Sequence, residues 1–148
     1  MTDDIDVAIV ETLTIDDLRQ VDALLSQLSS TAILDPDRVQ AMIDTPGVDL
    51  FVAREAGQVL GMATLVTFPL VTGLRGIVED VVVSHHARGR GIARLLLEAI
   101  TEESTRRGLR TLDLTSRPSR ESALRLYESV GFERRETNVL RYVPASNS

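Results

Sequence analysis

The stretch Val78-Glu79-Asp80-Val81-Val82-Val83-Ser84-His85-His86-Ala87-Arg88-Gly89-Arg90-Gly91-Ile92-Ala93-Arg94-Leu95-Leu96-Leu97 decides the fold. Its first part is β-branched and nearly continuous, which reads as a strand. Gly89 and Gly91 mark a turn, and an amphipathic helix follows. Arg88, Arg90 and Arg94 sit at or near the start of that helix. A helix N-terminus is partially positive, so each cation there costs about 0.3–1 kcal/mol. A bound anion reverses the cost, and backbone N–H groups at the same end would hold it directly. This corner is therefore an expected phosphate site.

The rest of the composition narrows the class. The chain has 148 residues, the length of one domain with a proper core. Residues 1–148 are read as a single domain with its core over about 5–143. With 22 acids against 16 bases the net charge is −6. A surface of that sign repels nucleic acid and attracts a cationic amine. Cysteine is absent, which excludes disulfides and thiol chemistry and fits a cytoplasmic location. No apolar run approaches the roughly 20 residues of a membrane span, and the acidic Met1-Thr2-Asp3-Asp4 start lacks a signal-peptide pattern. No membrane partner is expected.

In chain order, residues 7–10 read as a first strand. Thr14-Ile15-Asp16-Asp17 is a capping signal for a helix with Leu18, Val21, Leu24, Leu25 and Leu28 on one face. Asp35-Pro36-Asp37 opens a second helix. Residues 49–54 and 59–68 read as a hairpin around Glu55-Ala56-Gly57-Gln58, and 69–75 as a loop. Residues 77–84 form the strand quoted above, and 91–107 its helix, with Ile92, Leu95, Leu96, Ala99 and Ile100 facing inward. Residues 111–114 are a short buried strand. Pro118-Ser119 caps a helix bearing Ala123, Leu126, Tyr127 and Val130, which Gly131 stops. Residues 133–143 finish the domain as one long or two short strands, and Pro144-Ala145-Ser146-Asn147-Ser148 reads as a frayed tail. The order β-α-α-β-β-β-α-β-α-β is not a plain doubly wound sheet. The G-x-G turn matches neither a dinucleotide fingerprint nor a Walker loop. His85-His86 lacks a third ligand of its own type or a cysteine, so no metal site is expected.

Two motifs now carry a resemblance. Arg88-Gly89-Arg90-Gly91-Ile92-Ala93 matches an R/Q-x-x-G-x-G/A signature. Ala123-Leu124-Arg125-Leu126-Tyr127-Glu128-Ser129-Val130-Gly131-Phe132 matches A-x-x-L-Y-x-x-x-G-F. Together, in this order, they resemble the GNAT superfamily of acetyl-CoA-dependent N-acetyltransferases. The resemblance implies an α+β fold. Its central mixed sheet has six to seven strands and about four helices, splayed at the fourth and fifth strands.

It also implies roles. Amides around Arg88, Gly89, Arg90, Gly91, Ile92, Ala93 and Arg94 would bind the CoA pyrophosphate. Val81, Val82 and Val83 would hold the pantetheine arm by their backbone, like an added strand. An N–H near Val83 would polarise the thioester carbonyl. Tyr127 is the implied proton donor to sulfur. Where many members carry Asn the chain has Arg120, which could reach a CoA phosphate. For the base, Glu79 comes first and Asp80 second. Strand alternation puts Glu79 on the side of Val81 and Val83, and desolvation among apolar residues would suit a base.

The expected function is acetyl transfer from acetyl-CoA to a primary amine, by direct attack in a ternary complex, since no thiol exists to carry the acetyl group. The alternative is a non-catalytic acyl-CoA-binding sensor. The amine stays open: a peptide N-terminus, a lysine, a polyamine or a small metabolite. The family is frequently dimeric, so a homodimer is compatible with the resemblance.

Overall fold

The computed structural model describes residues 4–116 and 120–145. Its elements are β1 (Ile5–Ile9), α1 (Ile15–Leu28), α2 (Pro36–Asp44), β2 (Val48–Glu55), β3 (Gln58–Leu70), β4 (Gly73–Val83), a 3₁₀ turn (His85–Ala87), α3 (Ile92–Arg106), β5 (Thr111–Asp113) and α4 (Glu121–Val130). The strands form one sheet in the order β1-β2-β3-β4-β5, antiparallel except for the parallel β4–β5 pair.

Local chemistry starts α1 and α2 where the sequence says it should. The Thr14 hydroxyl accepts from the Asp17 N–H, and the Asp17 carboxylate accepts from the Thr14 N–H, both at 3.0 Å. The Asp35 carboxylate accepts from the N–H groups of Asp37 and Arg38, with Pro36 in the first turn of α2. The β2–β3 hairpin turns through Ala56 and Gly57, both at positive φ, as a two-residue hairpin requires.

The sheet is buried on both faces. Leu50, Val52, Met62 and Val82 pack with Val21 and Leu24 of α1. Phe51, Ala53, Ala63, Leu65 and Val78 pack with Ile92, Leu96, Leu97 and Ile100 of α3. Leu97 thus joins the inward face of α3, while Leu95 and Ala99 are only half-buried.

Two expectations are corrected. Residues 69–75 are not a loop: Leu70 pairs with Gly73, leaving only Val71 and Thr72 between β3 and β4. Pro69 stands opposite Leu74, whose carbonyl accepts from the Arg110 N–H at 2.7 Å. The ladder therefore asks no N–H of Pro69, and the strand runs through it.

Residues 133–143 form no strand, so the sheet has five strands among the described residues rather than six or seven. Glu133-Arg134-Arg135-Glu136 offers no apolar face to fix a register. Arg134 is drawn back to Glu128 of α4 at 3.1 Å, and Val139, Leu140, Tyr142 and Val143 are exposed. The expected Pro118-Ser119 cap and the last residues of the tail lie outside the described residues.

Candidate active site

The β4–β5 pairing is short. It covers only Arg75–Thr111, Gly76–Leu112 and Ile77–Asp113, and residues 78–83 of β4 continue past the end of β5. The sheet is therefore splayed at its fourth and fifth strands.

At the far end of β4 the backbone geometry is definite. The Ser84 N–H donates to the Leu60 carbonyl at 2.8 Å, so Ser84–Leu60 is a hydrogen-bonded antiparallel pair. The adjacent Val83–Gly61 pair is then a non-hydrogen-bonded one. Both the N–H and the C=O of Val83 point away from β3, towards the gap.

Between these ends β4 carries a bulge. Glu79 pairs with Thr64 but Val82 pairs with Met62, so two residues of β4, Asp80 and Val81, face one of β3. Asp80 takes φ +54°, a left-handed conformation that Asp tolerates better than most residues. The bulge reverses the sidedness read from alternation. Val81 and Val83 pack against the α3-side cluster, whereas Glu79, opposite Thr64, lies with Val82 on the α1 side. Glu79 and Asp80 are also both exposed, so the desolvation expected for Glu79 is absent.

The glycine turn follows. Gly89 and Gly91 sit at φ +80° and +75°, and Gly91 is the residue before α3. No side chain caps that helix end, so its first N–H groups, on Ile92, Ala93 and Arg94, lack acceptors within the helix. A Cβ at either glycine would meet nothing within 4 Å, so the turn's outer side is open for a group to approach the backbone closely. A pyrophosphate fits this donor set.

The arginines differ in what holds them. Arg90 makes a two-pronged ion pair with Glu55 at the end of β2, at 3.1 and 2.5 Å. Those hydrogen bonds hold the Glu55 carboxyl below its ordinary pKa, against a smaller opposing effect of desolvation. Arg94 reaches Glu98 at 3.3 Å and donates to the Ser129 hydroxyl, tying α3 to α4. Arg88 is exposed, with no ion-pair partner among the described residues. Arg120 is exposed at the residue before α4 and caps nothing with its side chain.

Tyr127 is half-buried on α4, edge-on to Phe132 with ring centroids 6.3 Å apart. It packs against the same apolar cluster as Val81 and Val83. It also lines a cavity of about 1050 Å³ bounded by β5, the C-terminal half of α3 and α4, and is the one predicted site residue to do so. The structure thus gathers Tyr127, Val81 and Val83 on the α3 side and leaves Glu79 across the sheet. His85 and His86 are exposed, and no group of three metal-ligating side chains occurs among the described residues. No helix among them is long and apolar enough to cross a membrane.

Sequence reasoning missed Gln27. Its side chain donates to the Val83 carbonyl at 2.8 Å and accepts from the His85 N–H at 3.2 Å. The signal was available: a glutamine three residues after Leu24, on the buried face of α1.

A mixed sheet is thus splayed beside a glycine turn and an uncapped helix start. The chain belongs to the acetyltransferase (GNAT) family, whose sequence profile matches residues 16–132. It is 33% identical over 99 residues to the L-methionine sulfoximine/L-methionine sulfone acetyltransferase of Pseudomonas aeruginosa strain PAO1. That match covers 64% of this chain and only 58% of the relative's length. Among solved structures, a protein of Agrobacterium tumefaciens strain C58 assigned as an acetyltransferase superposes with TM-score 0.83 at 24% identity, over 93% of this chain and 99% of its own. An acetyltransferase of Trypanosoma brucei superposes with TM-score 0.79 at 26% identity, over 95% of this chain and all of its own.

Proposed function

We propose that the protein is an N-acetyltransferase that takes its acetyl group from acetyl-CoA and delivers it to a primary amine within a ternary complex. The observation that carries this reading is the Val83 N–H turned into the β4–β5 gap, one short turn ahead of the open Gly89–Gly91 backbone. Bound acetyl-CoA supplies an activated thioester. The chain's part is to hold and polarise it.

The N–H groups of Gly89, Gly91, Ile92, Ala93 and Arg94, with the Arg88 guanidinium, neutralise a pyrophosphate at the start of α3. Arg120 at the head of α4 adds positive charge from a second side, while the charge of Arg90 is balanced by Glu55. The edge of β4 at Val81 and Val83 pairs with an extended amide-bearing arm, whereas Val82, in the hydrogen-bonded pair with Met62, turns its backbone groups to β3. The Val83 N–H stabilises negative charge on the carbonyl oxygen under attack. Tyr127 gives a proton to the departing sulfur. Glu79 takes the amine's proton, directly or through a water, from the α1 side of the sheet. Direct attack is favoured because the 148 residues hold no cysteine, which excludes an acetyl-enzyme on a thiol.

The Pseudomonas relative's name supports trying small amino-acid analogues first. The test is free-thiol release from acetyl-CoA with a panel of amines: methionine sulfone, methionine sulfoximine, lysine, a polyamine, an aminosugar and a peptide. Transfer to one of them is expected. Tight CoA binding by calorimetry without transfer to any amine would favour an acyl-CoA sensor instead.

A further inference from the structure

Gln20 and Gln27 lie seven residues apart on α1, hence on one face of it. Each uses its carboxamide on a backbone group where a ladder fails. The Gln20 carbonyl accepts from the Val59 N–H at 2.7 Å, beside the irregularity in the β2–β3 pairing at Arg54. Gln27 serves the open end of β4. It donates to the Val83 carbonyl and accepts from the His85 N–H. Binding the C=O of one residue and the N–H of the next but one is what the N–H and C=O of a single residue on a neighbouring parallel strand do. The carboxamide thus stands where a strand partner of Ser84 would stand. The Val83 N–H, on the same edge, is the next group along.

We infer that Gln27 is a positioning residue for acetyl transfer. Its side chain ends the open edge of β4 at Ser84 and, by fixing the Val83 carbonyl and the His85 N–H together, aims the Val83 N–H at the thioester carbonyl. The inference rests on the acetyltransferase reading. Its logic is orientational: the donor to the developing oxyanion is a backbone group, and a backbone group is aimed only through its neighbours.

The test compares wild type with Gln27→Leu, which keeps the volume and loses both hydrogen bonds, and Gln27→Glu, which keeps only an acceptor. Amide hydrogen exchange reads the clamp without turnover. Exchange at the His85 N–H is expected to rise in Gln27→Leu and to stay near wild type in Gln27→Glu. With the best amine of the panel, both variants are expected to lose about ten- to a hundred-fold in kcat. The CoA dissociation constant should stay within about threefold, because the glycine turn that holds the pyrophosphate is untouched. Unchanged His85 exchange in Gln27→Leu would overturn the clamp. Raised exchange with unchanged kcat, or a kcat loss matched by an equal loss of CoA affinity, would overturn the positioning role. A wild type that transfers acetyl to no amine would sink the acetyltransferase reading itself, while the exchange result would still report on the clamp.

Discussion

Glu79 stands directly opposite Thr64 in the β3–β4 ladder. Thr64 in turn faces Leu50, whose side chain lies in the cluster beneath α1, so Glu79 is turned to that side as well. A base placed there meets an amine arriving from the α1 side, while Tyr127 packs on the α3 side. The proposed acid and base thus lie on opposite sides of the sheet. Glu79→Gln keeps the shape and removes the basicity. Its kcat is expected to fall by about 10²-fold or more, and the rise of rate with pH to flatten, with the KM for acetyl-CoA unchanged. A pH–rate profile checks this, and a rise identical to wild type would move the base elsewhere.

Asp80 owes its place to its backbone. At φ +54° it lets β4 carry one residue more than β3 across the bulge. Asp80→Gly is expected to be neutral or slightly stabilising by urea unfolding. Asp80→Val, β-branched and poorly suited to the left-handed region, is expected to cost about 1–2 kcal/mol. It is also expected to lower kcat more than Asp80→Gly does, because relief of the strain shifts the register that places Glu79 and Val83. Equal stability of the two variants would show that nothing holds the left-handed conformation.

The contrast between these neighbours explains what was legible in the sequence. Helix starts at Thr14 and Asp35, the positive-φ turn at Gly89 and Gly91, and the apolar face of α3 are set by residues within four or five positions of one another, and local pattern reports them. The bulge at Asp80 depends on a count of residues between two strands, which no local pattern records, and it alone reverses the side of Glu79. Residues 133–143 failed for a related reason. Val139, Leu140, Tyr142 and Val143 have strand propensity, but propensity does not choose a partner, and four charged residues in a row leave no face to dock. Gln27 was missed because its work is on the backbone of residues 56 and 58 positions away.

Tyr127, the proposed proton donor, stands on a helix face that also needs its ring. The ring sits edge-on to Phe132 and packs on the cluster that holds Val81 and Val83. Tyr127→Phe leaves those contacts and removes only the hydroxyl. The expected result is a fall in kcat of about 10²-fold with thermal stability and CoA affinity near wild type. A turnover equal to wild type would reduce Tyr127 to a packing residue.

The Asp17–Arg54 pair predicts an acid limit to stability. Asp17 is only 7% exposed, and Arg54 grips both its oxygens, at 2.6 and 3.3 Å, while the carboxylate also closes the capping box of α1. The Arg54 hydrogen bonds hold the Asp17 carboxyl below its ordinary value of 3.8, outweighing the burial that acts in the opposite direction. A carboxyl depressed in the folded state stabilises it fully above the ordinary value. That contribution is lost as pH falls below 3.8 towards the folded value. Asp17→Asn is therefore expected to cost about 1.5–3 kcal/mol at neutral pH, and the gap to wild type should narrow steadily below that ordinary value. Urea unfolding of both proteins from pH 7 downwards reads it directly. A gap that stays constant into strong acid would assign the loss to the cap and the packing around Asp17 rather than to its charge.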